Sequence, residues 1–327
     1  MTPPNFTRRH AFALAAVMLA AAPVVQAQSG TYPERPIRLL VGYSAGGGVD
    51  AMARLLTPRL STLLGQQVVV ENRAGAAGLI AGDLAAKAPP DGYTLLLGDS
   101  STLIAQHMQP RMSFDPIKSF VPVAGLFTLP LIIVAGNGFP AKTPQELVAA
   151  LKAKPGHYSF ATSGVGTVQH LGFELFKGKT GTFATHIPYR GAAQIVPDVI
   201  SGQVPLGVVS ATSALAQAKG GRLKALAVMS PVKLAGAEDV APLAAAVPGF
   251  DAAPRVFLLA PAGTPDAVVE RLGSAVRTAM AAPDMAQVAA QQGAVPAFEP
   301  PAELGRSIVQ ESQRWGQLIR AQNIVAE

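Results

Sequence analysis

The sequence contains no cysteine. Disulfides, thiolate nucleophiles and cysteine-ligated metals are therefore excluded, although this absence does not by itself locate the protein. Charge is scarce: Asp, Glu, Lys and Arg make up 14% of the 327 residues, against 49% hydrophobic ones. That balance argues for a packed chain of two ordinary domains and against a disordered one. Aromatics are few, and no run of five basic residues occurs despite a pI near 9.7. Nucleic-acid binding thus has neither a basic stripe nor stacking platforms to draw on. Catalytic signatures are missing as well. Gly178-Lys179-Thr180 resembles the end of a phosphate loop, but Gly172 stands one place too far upstream. A dinucleotide fingerprint starting in the glycines at 46–48 fails at Ala51, and Ala161 replaces the first glycine of a nucleophile elbow around Ser163. His107, His157, His170 and His186 are dispersed without metal-ligand spacing, so no metal or cofactor is expected. An α/β hydrolase or transferase would need an activated nucleophile, and the pattern shows none.

Long apolar runs are limited to the N-terminus. Arg8 and Arg9 precede an apolar stretch, 11–22, that is too short to span a bilayer comfortably. Pro23 ends it, and Val25-Gln26-Ala27 supplies the small residues of a cleavage site. Residues 1–27 read as a cleaved secretory signal, with Gln28 as the mature start. Phe12 sits one place late for a twin-arginine motif, which favours the general export route. Losing Arg8 and Arg9 leaves 24 of the 26 basic residues against 20 acids, so the mature chain is only mildly basic.

What the sequence does have is a repeated unit of strand, glycine turn and helix. The run Ile37–Val41 reads as a buried strand, Gly46-Gly47-Gly48 as a tight turn, and Met52, Ala53, Leu55, Leu56, Leu60 and Leu63 recur at helical spacing. Pro58 falls inside that helix and predicts a kink or break. Such a turn lets backbone approach a ligand, and the first helical amides favour an anion. The pattern returns when the strand 158–161 runs into Thr162-Ser163-Gly164-Val165-Gly166-Thr167 and then a helix over 168–176. A ligand held between two loops, one from each domain, would explain the recurrence.

Between these units, 68–71 and 93–98 read as strands of a parallel, doubly wound sheet ending at Asp99 and Ser100. Ala76–Lys87 reads as a helix with Leu79, Ile80 and Leu84 on one face. The strands 120–124 and 129–135 flank a crossing between domains, and Val256–Leu259 marks the return. Thr143-Pro144-Gln145-Glu146 is a capping box. A helix over 265–280 buries Val268, Val269, Leu272 and Val276, and the terminal helix, 301–319, carries the single Trp315 back onto the first domain. His170, beside the second glycine turn, is read either as a ligand donor or as a satisfied buried histidine.

Seven motifs in order carry a resemblance. They are Tyr32-Pro-Glu-Arg-Pro-Ile37, Gly46-Gly-Gly-Val-Asp50, Gly65-Gln-Gln-Val-Val-Val-Glu-Asn-Arg-Ala-Gly75 and Asp91-Gly-Tyr-Thr-Leu-Leu96. Ser163-Gly-Val-Gly-Thr-Val-Gln-His170, Pro188-Tyr-Arg-Gly191 and Leu259-Ala-Pro-Ala-Gly-Thr-Pro265 complete the set. Together they resemble the periplasmic receptors of tripartite tricarboxylate transporters, the Bordetella uptake gene (Bug) family, from residue 32 onward.

The resemblance implies an α/β, two-lobed type II periplasmic-binding-protein fold that closes on a small organic acid. Lobe 1 would be 28–128 plus 254–327, and lobe 2 would be 129–253. Tyr43, Ser44, Ala45, Gly46 and Gly47 would form one half of the site, and Ser163, Gly164, Gly166 and Thr167 the other. Ser100, Tyr189, Arg190 and Gly191 would stand at the rim, and Asp50 would cap or orient the first helix. Val49 replaces a hydroxyl residue usual in the family. Val208-Val209-Ser210 replaces a Phe-Asp-Asn, which weakens the case for an amine-bearing ligand. Arg255 stands where an aromatic is common; facing inward it would pair with a second carboxylate, facing outward it would be a surface charge. The implied partners are membrane permease subunits, for a monomeric receptor without enzymatic activity; a sensor kinase as partner remains open.

Overall fold

The computed structural model describes residues 32–109, 111–321 and 324; the expected signal, 1–27, and Gln28 lie outside the described residues. In the first sheet the order is β11 (Val295–Glu299), β4 (Phe120–Thr128), β10 (Arg255–Pro261), β3 (Thr94–Asp99), β1 (Ile37–Val41) and β2 (Val68–Asn72). The strands β1, β2 and β3 are parallel, as expected. The sheet is nevertheless mixed, because β10 brings the chain back between β3 and β4 and runs antiparallel to both. The second sheet has the order β7 (Thr185–Pro188), β6 (Ser159–Thr162), β8 (Leu206–Ser210), β5 (Leu131–Ala135) and β9 (Lys224–Val228). Here β5 is the antiparallel member, pairing β8 and β9. Every residue of β3, β5 and β8 is buried, which is why these segments read as continuous apolar runs.

The helices are α1 (Gly48–Leu64), α2 (Leu79–Ala86), α3 (Ser100–Met108), α4 (Pro144–Ala153), α5 (Val168–Thr180), α6 (Ala192–Ser201), α7 (Ala211–Lys219), α8 (Asp266–Met280), α9 (Met285–Gln291) and α10 (Pro301–Ala321). Pro58 does not end α1, which continues to Leu64. The buried face formed by Met52, Leu56, Leu60 and Leu64 is maintained across the proline, with α8 packed against the helix. Thr143 caps α4, its Oγ1 accepting from the Glu146 amide, while the Glu146 carboxylate accepts from the Lys142 amide.

The chain passes between sheets twice, from β4 to β5 and from β9 to β10. The two crossings are tied by the Leu129 amide, which donates to Pro254 O at 2.8 Å. A third link is the end of α10. The helix packs on α3 and β4, as expected for a return to the first domain. Its Trp315 and Ile319, however, join Ile104, Met108, Leu131, Ile133 and Phe160 in a core built largely on the second sheet.

The segment read as one helix over 76–87 is two pieces. Ala76 and Ala77 adopt left-handed backbone, φ 48° and 55°, and the α-helix begins only at Leu79. Its buried face is Leu79, Ala81, Gly82 and Ala85, whereas Ile80 and Leu84 are 47% and 45% exposed. The small face wins because the helix lies close to Phe114: a Cβ on Gly82 would sit 2.5 Å from that ring. Accordingly, Leu79→Ala should cost about 2–4 kcal/mol by denaturant melting, and Ile80→Ser or Leu84→Ser less than about 0.5 kcal/mol. Equal losses at all three positions would restore the single-face reading.

Candidate functional site

The first glycine turn is held from behind by a carboxylate. Asp50, in the first turn of α1, is buried, and its Oδ2 accepts from the Gly46 amide at 2.8 Å and from Arg54 Nε at 2.9 Å. Asn72 Nδ2 donates to Asp50 Oδ1 at 2.9 Å and to Tyr43 O at 3.0 Å, fixing the turn to the end of β2. Burial pushes the Asp50 carboxyl up, but the bonds from Arg54, Gly46 and Asn72 outweigh it, and the net position is below the usual carboxylate range. Asp50 therefore orients the turn, as expected, without capping: the N-cap is Gly47, which has no side chain to offer. The clamp consumes the Gly46 amide. Among the described residues, no hydrogen-bond partner is seen for the amides of Gly48, Val49 and Asp50, which form the open positive end of α1.

The second turn is held from behind by a histidine. Gly164 and Gly166 take φ of 129° and 78°, which a side chain would strain. The Gly166 amide donates to His170 Nδ1 at 3.2 Å. The His170 ring stacks on His186 at 4.0 Å, and His186 Nε2 lies 2.6 Å from Thr162 Oγ1. Burial, and then Lys177, lowers His170 to about 4; burial, His170 and Lys177 lower His186 to about 3. Both rings are neutral at pH 7, so Nδ1 of His170 is free to accept. Thr167 caps α5, its Oγ1 accepting from the His170 amide and donating to Gly164 O.

These turns meet beyond the carboxyl ends of β1, β3 and β6, where ligands sit in open α/β sheets. A Cβ on Gly48 would fall 2.4 Å from Ser210 Oγ, so the end of α1 abuts the start of α7 with no allowance for a side chain. Ser101 Oγ, from α3, accepts from the first amide of α5, Val168, at 3.3 Å. Between these contacts lies an inner chamber of about 30 Å³, lined by Tyr43, Gly47, Gly48, Val49, Asp99, Ser163, Gly191 and Ser210 among others. An outer chamber of about 410 Å³ is lined by Gly75, Ala76, Ala77, Gln109, Gly164, Tyr189, Arg190 and Gln194 among others.

Of the residues picked from sequence, Tyr43, Gly47, Ser163, Gly191 and Ser210 thus face the inner chamber, and Gly164, Tyr189 and Arg190 the outer one. Ser44, Ala45 and Gly46 line neither: Ser44 packs under Gly191, and Ala45 and Gly46 are exposed. Gly166, Thr167 and His170 shape the second turn from within and line neither chamber. Ser100 is fully buried, its hydroxyl accepting from the Arg255 amide at 2.9 Å, so it is not at the rim. The Arg255 guanidinium pairs with Glu299 at 2.5 Å and Glu311 at 3.4 Å, carboxylates of this chain, and Arg255 lines neither chamber. Asp99, expected only at a strand end beyond which ligands sit, is the principal chamber residue absent from the expected site. It caps α3, accepting from the Ser101 amide, and the signal was there in an aspartate directly before three hydroxyl residues.

Two sheets joined by paired crossings, with a cleft closed by turns from both, define the two-lobed fold of periplasmic binding proteins. Residues 52–324 match the tripartite tricarboxylate transporter family receptor. The chain is 35% identical over 303 residues to protein BugT of Bordetella pertussis, covering 92% of each. It superposes on R. palustris Rpa4515 with adipate at TM-score 0.87 and 29% identity, over 90% of this chain and 99% of that one. MatC from Rhodopseudomonas palustris with bound malate follows at 0.82 and 28%, over 88% and 100%. The chain belongs to this family of periplasmic solute-binding receptors.

Asp99 gives a pH prediction. It is 4% exposed, and burial lifts its carboxyl to about 6 from 3.8 despite bonds from Tyr43 and Ser101. Between those values the native state holds a proton that the unfolded chain has lost. Stability contributed here therefore falls as pH rises from about 4 to 6, by up to about 3 kcal/mol in all, and is level above. Thermal melts of Asp99→Asn and wild type across pH 4–8 should diverge over that window in favour of the variant. Parallel profiles would show that the buried carboxyl titrates normally.

Proposed function

We propose that the protein captures a small organic carboxylate in this cleft and delivers it to the membrane permease of a tripartite tricarboxylate-type transporter. The lobes would be 28–128 with 254–327 and 129–253, hinged at the paired crossings, and the receptor would work as a periplasmic monomer after cleavage at Ala27. The observation that carries this is the open start of α1, where Gly48 and Val49, whose amides lack a partner among the described residues, line the inner chamber together with Ser163, Gly191 and Ser210. A carboxylate there would replace its hydration by fixed donors once closure expels water. The ligand's remainder would extend into the outer chamber, past Tyr189 and Arg190. The adipate and malate bound by the two R. palustris relatives support an acid of this size. Binding, with no turnover of the acid, is the whole of the receptor's task in this reading.

A thermal-shift screen against mono-, di- and tricarboxylates, sugars and nucleotides tests it. An acid at a hundred times its Kd should stabilise the fold by about 2.7 kcal/mol; hits confined to sugars or nucleotides would sink the proposal. By calorimetry on the best acid, Ser163→Ala should weaken binding by about 1–2 kcal/mol, the cost of one hydrogen bond to a charged group. Gly48→Ala should cost about 1–3 kcal/mol, because the new methyl overlaps Ser210 when the cleft is shut. Unchanged affinity in both variants would place the ligand elsewhere.

A further inference from the structure

The inner chamber holds one group that an anion site would not be expected to contain. Asp99 ends β3 and lines the same small space as Gly48, Val49, Ser163 and Ser210. Three donor protons reach it. The Tyr43 hydroxyl lies 3.0 and 3.2 Å from the two oxygens, the Ser101 amide is at 3.1 Å and the Ser101 hydroxyl at 3.2 Å. A backbone hydrogen bond from the Thr102 amide adds to these. All of these donors are neutral, so none of them offsets the charge of the carboxylate.

No cation balances the charge. Among the described residues Asp99 has no ion pair, whereas the other buried aspartate of the site, Asp50, is paired with Arg54. Arg255, which precedes the β10 residue paired with Asp99, turns its guanidinium to Glu299 and Glu311 and sends only its amide toward Ser100. The titratable group facing Asp99 from the first turn is Tyr43, whose hydroxyl is held neutral by burial and by Asp99 itself. The chamber therefore offers amides that favour an anion on one wall and an unbalanced acceptor on another. A bare carboxylate placed there brings two like charges together in a desolvated space, which disfavours it. A ligand that presents a donor next to its carboxylate satisfies both walls at once.

We propose that Asp99 sets the ligand class of this receptor, selecting carboxylates that carry a hydroxyl or ammonium donor on the adjacent carbon. The inference rests on the carboxylate reading of the cleft and narrows it. It also replaces the sequence-based expectation that amine-bearing ligands are disfavoured because an aspartate is missing at Ser210. The acid is supplied instead from β3, on the opposite side of the cleft.

The test is calorimetric titration at pH 8, where burial still leaves the Asp99 carboxyl ionised. Matched probes are malate, aspartate and succinate, with lactate, alanine and propionate as the shorter set. For wild type the donor-bearing acid should bind at least about tenfold tighter than its plain partner. A preference confined to aspartate and alanine assigns the donor as ammonium; one confined to malate and lactate assigns it as hydroxyl. Asp99→Asn retains an acceptor for the Ser101 amide and should narrow the ratio to about threefold or less, with succinate binding tighter because the like charge is gone. Tyr43→Phe, which removes a donor from Asp99 and leaves its charge, should keep or widen the preference. Equal affinity within the wild-type pairs, or an unchanged ratio in Asp99→Asn, overturns the proposal while leaving the carboxylate reading intact. Failure of wild type to bind any of these acids, with binding of a sugar or nucleotide instead, overturns both.

Discussion

The end of α1 meets Ser210 so closely that Gly48 can carry no side chain, and the rest of the cleft follows from that contact. It brings an open helix terminus of the first sheet's layer against the start of α7 on the second. Gly48 and Val49 then share a small chamber with side chains, and water has little space there. A helix terminus exposed to bulk solvent is a weak anion site, since salt and water screen its dipole. The same terminus against Ser163, Gly191 and Ser210 acts in a low-dielectric space, where fixed dipoles count for more. The glycine is thus required for proximity between lobes, and the turn's conformational freedom is a secondary matter at this position.

Each turn is kept in shape by a buried polar group lying behind it. Asp50 takes the Gly46 amide, and Arg54 and Asn72 complete its shell. His170 takes the Gly166 amide, and His186 and Thr162 complete the stack beneath it. Both devices remove an amide from the set that a ligand reaches and fix the direction of those that remain. They also use opposite charge states. Asp50 is ionised and paired, while His170 is held neutral by burial, because only the neutral ring can accept from an amide. A buried group of either kind lowers stability unless its bonds are complete, and here they are nearly complete.

Much of this was legible in the sequence. The two glycine turns announced themselves by composition and by the strand and helix periods on either side, and seven ordered motifs carried the family. What was not legible depended on distance across the fold. Arg255 looks free until β11 and α10 bring Glu299 and Glu311 to it. Ser100 looks like a rim hydroxyl until β10 lays an amide against it. The α2 face was misread because hydrophobicity alone favours Ile80 and Leu84, while close approach to Phe114 selects Ala81, Gly82 and Ala85. Helices α3 and α7 begin with hydroxyl and small residues, which suit caps and turns as well as helices, so periodicity gave no start signal.

Asp99 joins these themes, since its role as a cap and its place in the chamber wall pull in different directions. As the cap of α3 it needs only a short acceptor, which serine, threonine or asparagine would supply without charge. The charge brings desolvation that the Tyr43 and Ser101 bonds offset only in part, as its raised pKa records. A group that weakens the unliganded protein at neutral pH, and has a neutral substitute for its structural task, is accounted for when something entering the cleft completes its shell. The cleft's two walls then form a single recognition unit. In the proposed reading, the open helix end would select an acid, and the aspartate would select what stands beside it.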